Sequence, residues 1–118
     1  MAISRLERSE WGGFCFRASH IFLGKHADIE VASLEVGFQL EARRLPLVGM
    51  FYDPGSDVLR LLLGELNYLI RAPRELYVDE EPLGIVVLQI VDADGVRQII
   101  TLRDPLLLPG PHLLASPF

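Results

Sequence analysis

Cysteine is nearly absent from this chain of 118 residues, in which Cys15 is the only one. An internal disulfide and a zinc site built from cysteines are therefore both excluded. A lone thiol fits a reducing compartment, so we expect a cytoplasmic protein. Cys15 lies between Phe14 and Phe16, a setting that favours a buried and inert thiol over a nucleophile.

Lysine is equally scarce: Lys25 is the only lysine, beside ten arginines, and the formal net charge is -5. Nucleic-acid binding depends on clustered basic side chains that neutralise phosphates, so this balance argues against a nucleic-acid partner. A nucleic-acid-binding small barrel would need a local arginine face that joins Arg43, Arg44, Arg60 and Arg97.

Long hydrophobic runs are missing too, although 50% of the residues are apolar and the mean hydropathy is +0.30. The runs IVVL and LLL are far too short to span a bilayer, so no membrane association is expected. The charged N-terminal residues do not resemble a secretory signal. The length suits one domain, 1–118, and the apolar excess predicts a homo-oligomer, most simply a dimer.

Catalytic and cofactor motifs are not found. The chain has no G-x-G-x-x-G, no P-loop and no G-x-S-x-G setting for a serine nucleophile. Its histidines, His20, His26 and His112, lack the i, i+4 spacing of helical zinc sites. We therefore predict no catalytic residue, no metal and no cofactor from motifs.

The segment VDADGVRQ, residues 91–98, begins like a calcium loop but does not continue as one. The fifth and twelfth positions of an EF-hand loop require oxygen ligands, and here they hold Val96 and Arg103. Turn chemistry explains more. We interpret Ala93-Asp94-Gly95 as a three-residue hairpin loop in which the glycine takes a positive φ and Asp92 accepts hydrogen bonds from loop amides.

Hydrophobic periodicity predicts one helix followed by strands. Residues 8–25 have Ser9 as N-cap, Gly24 as stop and an apolar face at helical spacing, formed by Trp11, Phe14, Ala18, Ile21 and Phe22. Alternation predicts strands near residues 28–31, 38–42, 48–52, 58–63, 76–78, 85–91 and 96–102. The phase of the alternation changes between Val31 and Leu34, which a bulge or a turn near residues 33–37 would explain. The fold class is α+β: an N-terminal helix packed on an antiparallel sheet of about five to seven strands, curled or barrel-like.

Three further segments carry separate expectations. Asp53-Pro54-Gly55-Ser56 predicts a hairpin turn. Residues 65–71 predict one or two helical turns that stop before Pro73. The Pro/Leu-rich tail, residues 106–118, predicts no regular structure, and we expect its leucines and Phe118 to dock on the domain or on a partner.

The segment RAPRELY, residues 71–77, is the best candidate site. With a tyrosine three residues earlier, it offers an anion or aromatic-lined ligand pocket formed by Tyr68, Arg71, Arg74 and Tyr77. Structural ion pairs of these arginines with Glu75 or Asp79 are the alternative.

The acidic cluster Asp79–Glu81 is interpreted as a solvated loop that blunts a sheet edge.

The segments just described resemble a family of small bacterial proteins known only as a domain of unknown function. The resemblance runs in order from near the N-terminus to Pro109 and leaves out only GPHLLASPF. It rests on RSEW, IEVAS, LPLVGMFYDP, LIRAPRELYVDE and VDADGVRQIITLRDPLLLP. It implies a bacterial, cytoplasmic, stand-alone domain, and it assigns no catalytic residue or ligand.

Two classes of function remain open. The first is a non-catalytic interaction or small-ligand-binding domain that self-associates, which the apolar excess and the missing motifs favour. The alternative is a small enzyme whose acid–base residues converge only in space. Its candidate residues are Tyr52, Tyr68, Arg74, Asp79 and Asp104.

Overall fold

The computed structural model describes residues 2–35 and 37–105. In that part of the chain one α-helix packs on an antiparallel sheet of eight strands, so the predicted α+β class is confirmed. In chain order the elements are β1 (Ala2–Leu6), α1 (Arg8–Ile21), β2 (His26–Ser33), β3 (Gly37–Asp53), β4 (Val58–Leu63), β5 (Leu66–Arg71), β6 (Pro73–Glu80), a 3-10 turn (Pro82–Gly84), β7 (Val86–Asp92) and β8 (Arg97–Arg103).

The strands follow the order β1-β6-β7-β8-β2-β3-β4-β5, and all neighbours are antiparallel. The two terminal strands, β1 and β5, are not paired with each other, so the sheet is open and not a barrel. The predicted strand count was too low. It missed β1, which precedes the helix, and β5, whose apolar spacing also fits helical turns.

The long strand β3 divides the sheet into two parts. Its first half pairs with β2 up to Pro46, and its second half pairs with β4 from Leu47 onward. A bulge lies in the first half, where Arg44 has φ +54° and its N–H donates to Asp28 Oδ1 at 2.7 Å. We name the second half of β3 together with β4 and β5 the small part of the sheet.

Helix α1 begins at Arg8, two residues earlier than expected with Ser9 as the N-cap. The N-cap is Glu7, whose backbone N–H donates to the Glu10 carboxylate at 2.9 Å. The chain leaves the helix after Ile21, and the predicted stop Gly24 lies beyond it with φ +87°. The helix buries Trp11, Cys15 and Ala18 against the sheet. Ile21 of the predicted apolar face is exposed, because this short helix packs through its first three turns.

The core lies between α1 and the inner face of the sheet. Strand residues alternate between buried and open positions, as Leu59, Leu61 and Leu63 of β4 show. Most of the buried side chains come from strands, so burial of the sheet's inner face supplies most of the hydrophobic stabilisation.

Both predicted turns are confirmed. Asp92 Oδ1 accepts hydrogen bonds from the N–H groups of Asp94 at 2.9 Å and Val96 at 3.0 Å, and Gly95 has φ +80°. VDADGVRQ is therefore a bend of the chain. At the other turn, Asp53 accepts hydrogen bonds from Ser56 Oγ at 2.8 Å and the Gly55 N–H at 3.0 Å, and these bonds lower the pKa of the Asp53 carboxyl.

Two expectations were wrong, and one lies outside the described residues. Residues 66–71 form strand β5 and not helical turns. The acidic cluster is not a solvated loop, because Asp79 and Glu80 belong to β6, where the unexpected strand β1 on one side and β7 on the other bury Asp79. The tail, residues 106–118, lies outside the described residues, so its expected docking stays a prediction.

Within residues 2–35 and 37–105, no helix combines the length and the apolar character that crossing a membrane requires.

Candidate interaction surface

The four residues of the predicted pocket lie on two successive strands, and the structure does not bring them together. Tyr68 and Arg71 are on β5, whereas Arg74 and Tyr77 are on β6. Tyr68 packs against the core opposite the buried Leu61, whereas Tyr77 lies between two buried residues of its strand and so faces away from the core. Their role in ligand binding stays a prediction.

Each tyrosine has its own surroundings. Burial, with smaller contributions from Glu41 and Asp92, raises the pKa of Tyr68 to about 12, so its phenol is neutral at physiological pH. The Tyr77 hydroxyl donates to Glu75 Oε1 at 2.6 Å, and this bond raises the pKa of Tyr77. The Arg5 guanidinium lies 5.9 Å from the centre of the Tyr77 ring. Tyr77 thus belongs to a polar network on the outer face.

Arg74 takes part in a structural cluster near the start of α1. Its guanidinium lies 3.5 Å from Asp57 Oδ2, so the ion-pair interpretation describes its geometry, with a different acid from the two expected. Arg8 donates to Asp57 Oδ1 at 3.1 Å, to the Tyr52 hydroxyl at 2.9 Å and to the Pro73 carbonyl at 3.0 Å. We name these five residues the corner cluster.

The corner cluster joins three parts of the chain. The Tyr52 hydroxyl also donates to Asp57 Oδ1 at 2.8 Å, and this bond, followed by those from Arg8, lowers the pKa of the Asp57 carboxyl. Arg8 lies 4.8 Å over the Trp11 ring, and Trp11 meets Tyr52 edge-on at 5.2 Å. These contacts hold the start of α1 to the β3–β4 hairpin and to β6, which is a structural task.

The other candidate acid–base residues do not converge either. Tyr52 and Arg74 lie in the corner cluster, but Asp104 pairs with Lys25 at 2.7 Å and Asp79 is buried between β1 and β7. The interaction with the nearby Asp79 carboxyl raises the pKa of Glu81. In the part of the chain that the structure describes, no group of three or more potential ligands is arranged to hold a metal ion.

Strand β5 presents a different kind of site, an open strand edge. The two-residue turn Gly64-Glu65 makes Leu63 and Leu66 a hydrogen-bonded pair, so Leu66 directs its backbone groups toward β4. The Ala72 N–H, six residues later, points the same way and donates to the Asp57 carbonyl at 2.8 Å, whereas the Ala72 carbonyl accepts from the Ala93 N–H at 2.9 Å. Successive residues of a strand direct their backbone groups to opposite edges. Asn67, Leu69 and Arg71 therefore direct their N–H and C=O groups toward the edge where the sheet ends.

Apolar side chains surround this edge. Leu66 is 38% exposed and Leu69 is 36% exposed, although both belong to a strand rich in apolar residues. Leu69 is in register with Arg60, and Arg60 with Phe51, so these three share the outer face of the small part. Phe51 and Val48 are each about half exposed. We name the edge of β5 with these four apolar side chains the β5 surface.

Charges mark the two ends of the same edge. Glu65 stands immediately before β5 and Arg71 is its last residue, and both are exposed. Neither makes an ion pair with any residue in the described ranges. The sequence signal for this edge was the pair Gly64-Glu65 between two alternating segments, which is a two-residue hairpin turn with Gly64 at φ +57°.

In the described residues, one helix on an open antiparallel sheet of eight strands defines a small α+β domain. The chain belongs to the Family of unknown function (DUF5335), which matches residues 2–111, so the resemblance described above is confirmed. It is similar to an "Uncharacterized protein" of Aquifex aeolicus (strain VF5), a bacterium, with 32% identity over 110 residues that cover 92% of this chain and 99% of that protein. No solved structure shows a significant match.

Proposed function

We propose that this chain is a non-catalytic interaction domain that self-associates through its β5 surface. The observation that supports this most directly is the edge itself: β5 ends the sheet, and within residues 2–35 and 37–105 three of its residues direct backbone donors and acceptors to an edge where no other strand pairs. A row of unpaired backbone groups is a template for another strand. A second copy of this chain is the partner that the apolar excess predicted.

The sequence of β5 lacks the usual protection of sheet edges. Native edges are blunted by lysine, proline, bulges or a covering element. The strand, LNYLIR, contains neither lysine nor proline, and its pairing with β4 has no register shift. Leu66 and Leu69 of β5 itself are partly exposed and add apolar area next to which a partner strand would lie. An edge with these properties fits a contact strand better than a permanently solvated one.

We expect the association to be weak and to take place in the cytoplasm. The six residues of β5 offer a small interface, so a dissociation constant on the order of 10 μM is expected. The buried, unpaired Cys15 fits a reducing compartment. The anion pocket proposed from Tyr68, Arg71, Arg74 and Tyr77 is not needed for this function.

Leu69→Pro tests the proposal because it removes an N–H that points to the open edge. The bonds to β4 come from the neighbouring residues, so the fold should be retained with a modest loss of stability. We expect the wild type to show a monomer–dimer equilibrium in sedimentation velocity. The variant should stay monomeric at concentrations roughly ten times the wild-type dissociation constant.

Leu69→Thr is the matched control, because it shortens the same side chain and keeps the N–H. It should retain most of the dimer if backbone pairing is the main contact. A wild type that sediments as a monomer up to millimolar concentration would refute self-association. A Leu69→Pro variant that is folded and as dimeric as the wild type would move the interface away from β5.

A further inference from the structure

The charges at the two ends of β5 are complementary to those of a second β5 that runs in the opposite direction. Glu65 precedes the strand and Arg71 closes it, and neither has an ion-pair partner among the described residues. In an antiparallel pair of identical strands, the start of one strand meets the end of the other. One strand therefore carries both halves of an ion pair that it cannot form alone.

The backbone limits which registers two such strands can form. Antiparallel hydrogen bonding needs outward-pointing residues opposite outward-pointing residues. On β5 these are Asn67, Leu69 and Arg71, as the turn at Gly64-Glu65 establishes. A two-fold axis must therefore pass through a residue and not between two residues. The same condition places facing side chains on the same face of the joined sheet.

The side chains select one of the permitted registers. With the axis at Tyr68, Glu65 of each strand faces Arg71 of the other, and Asn67 faces Leu69. With the axis at Asn67, Glu65 faces Leu69 and Arg71 passes beyond the partner strand. With the axis at Leu69, Glu65 extends past the end of the partner strand and has no residue of that strand opposite it. Only the Tyr68 register pairs both charges, and it does so twice because of the symmetry.

We infer that two copies of this chain pair their β5 strands about a two-fold axis at Tyr68, with reciprocal Glu65–Arg71 ion pairs. This inference rests on the proposed self-association and adds its register. Leu66 of each strand lies opposite the buried Ile70 of the other, and the two sheets become one continuous sheet. The edge left open in the monomer is closed by its own copy.

Mixed disulfide cross-linking measures this register directly. In the inferred dimer, Asn67 and Leu69 of opposite copies face each other in a hydrogen-bonded pair with Cα atoms about 5.5 Å apart, which a disulfide can bridge. Equal residues, 67 with 67 or 69 with 69, are displaced along the strands by roughly 7 Å more, beyond disulfide reach. Cys15 is buried and should not take part.

The experiment uses full-length Asn67→Cys and Leu69→Cys variants under mild oxidation. An equimolar mixture should form a covalent dimer, whereas each variant alone should form little. At any moment about half of the dimers in the mixture contain one copy of each variant, and because a weak dimer exchanges its copies, cross-linking can proceed beyond that half. Equal cross-linking in the single-variant samples, or none in the mixture, would overturn the register.

Charge reversal gives an independent readout with exposed residues that should not disturb folding. Glu65→Arg or Arg71→Glu should each raise the dimer dissociation constant about tenfold, because each places like charges opposite each other twice. The double variant Glu65→Arg/Arg71→Glu restores opposite charges and should return it to within about threefold of the wild type. Additive weakening in the double variant would contradict the inferred pairing.

These results separate this inference from the proposed function. A monomeric wild type removes the self-association and the register together. A dimer that Leu69→Pro abolishes, but that neither cross-links between positions 67 and 69 nor responds to charge reversal, keeps the β5 surface as the interface and removes only the Tyr68 register.

Discussion

The two terminal strands of the sheet, β1 and β5, make different contacts with the rest of the molecule. Strand β1 leads directly into α1, and the Leu6 carbonyl at its end accepts a hydrogen bond from Trp11 Nε1 at 3.1 Å. Arg5 of β1 lies over the ring of Tyr77. At the end of β5, Arg71 forms no ion pair in the described part of the chain. Both terminal strands keep exposed apolar side chains, Ile3 on β1 and Leu69 on β5, so the two strands differ in their contacts and not in their exposure.

The arginines near the ends of the two terminal strands also differ in their contacts. Arg8, two residues after β1, donates to Asp57, Tyr52 and the Pro73 carbonyl in the corner cluster. Arg71 closes β5 on the outer face, opposite Val58. Arg8 holds the start of α1 to the β3–β4 hairpin and to β6. In the proposed dimer, Arg71 would instead contact the second copy.

Removing the Trp11 side chain should remove the main contact that holds α1 to the end of β1. Trp11 is fully buried, and its indole contacts Tyr52 and bonds to Leu6. Trp11→Ala should lower the free energy of unfolding by roughly 3 to 5 kcal/mol, measured by urea denaturation, because it leaves a large cavity.

Phe16→Ala is the control for that variant, because Phe16 lies on the same helix and is exposed. It should change stability by less than about 0.5 kcal/mol. If the two variants lose similar amounts of unfolding free energy, burial of Trp11 does not hold α1 to the end of β1.

Asp57→Asn should weaken the corner cluster by a smaller amount. Asparagine tolerates the φ of +55° at this position, so the change removes mainly the charge. Because the carboxylate is partly exposed, with 34% of its side chain open to solvent, a loss of about 1 kcal/mol is expected. Asp94→Asn, in an exposed loop, should have almost no effect.

The pH dependence of that loss has a definite sign. Hydrogen bonding from Tyr52 lowers the pKa of Asp57 in the folded state, so its contribution is present above the unfolded carboxyl pKa. It is lost as the pH falls through the folded pKa. The difference in stability between wild type and Asp57→Asn should therefore be constant near neutral pH and shrink below about pH 4. A difference that grows in acid would contradict this assignment.

The smallest expected effect concerns Cys15, which lies under α1. Burial raises the pKa of this thiol to about 12, and the thiolate is the reactive form. A thiol reagent at neutral pH should therefore label the native protein slowly, and labelling should become stoichiometric only when urea unfolds the chain. Rapid labelling of Cys15 without urea would show that α1 readily separates from the sheet in the native protein.

The turns could be predicted from sequence because their chemistry is local. Asp92 accepts from the amides of Asp94 and Val96, and Asp53 accepts from the Gly55 amide and the Ser56 hydroxyl. Strand β5 was not predictable in this way. The segment LNYLIR has apolar residues whose spacing fits both a strand and a helical turn, and pairing with β4 decides between them.

Contacts between residues that are far apart in sequence could not be predicted either. Asp57 meets Arg8 across 49 residues of sequence, and Asp79 is buried because β1, more than seventy residues earlier, pairs with its strand. No local pattern encodes such meetings. Tyr68 and Arg71 of the predicted pocket lie on β5, but the sequence did not show that this strand lies at the edge of the sheet.

By itself, the sequence determined the α+β class, the hairpin turns and the lack of cysteine partners for Cys15, because composition, alternation and turn chemistry act over a few residues. The tertiary structure alone decided which strands lie at the ends of the sheet and which charges are paired within the chain. Both depend on strand order, which arises from long-range pairing. The open edge of β5 and the unpaired charges beside it are the product of that order.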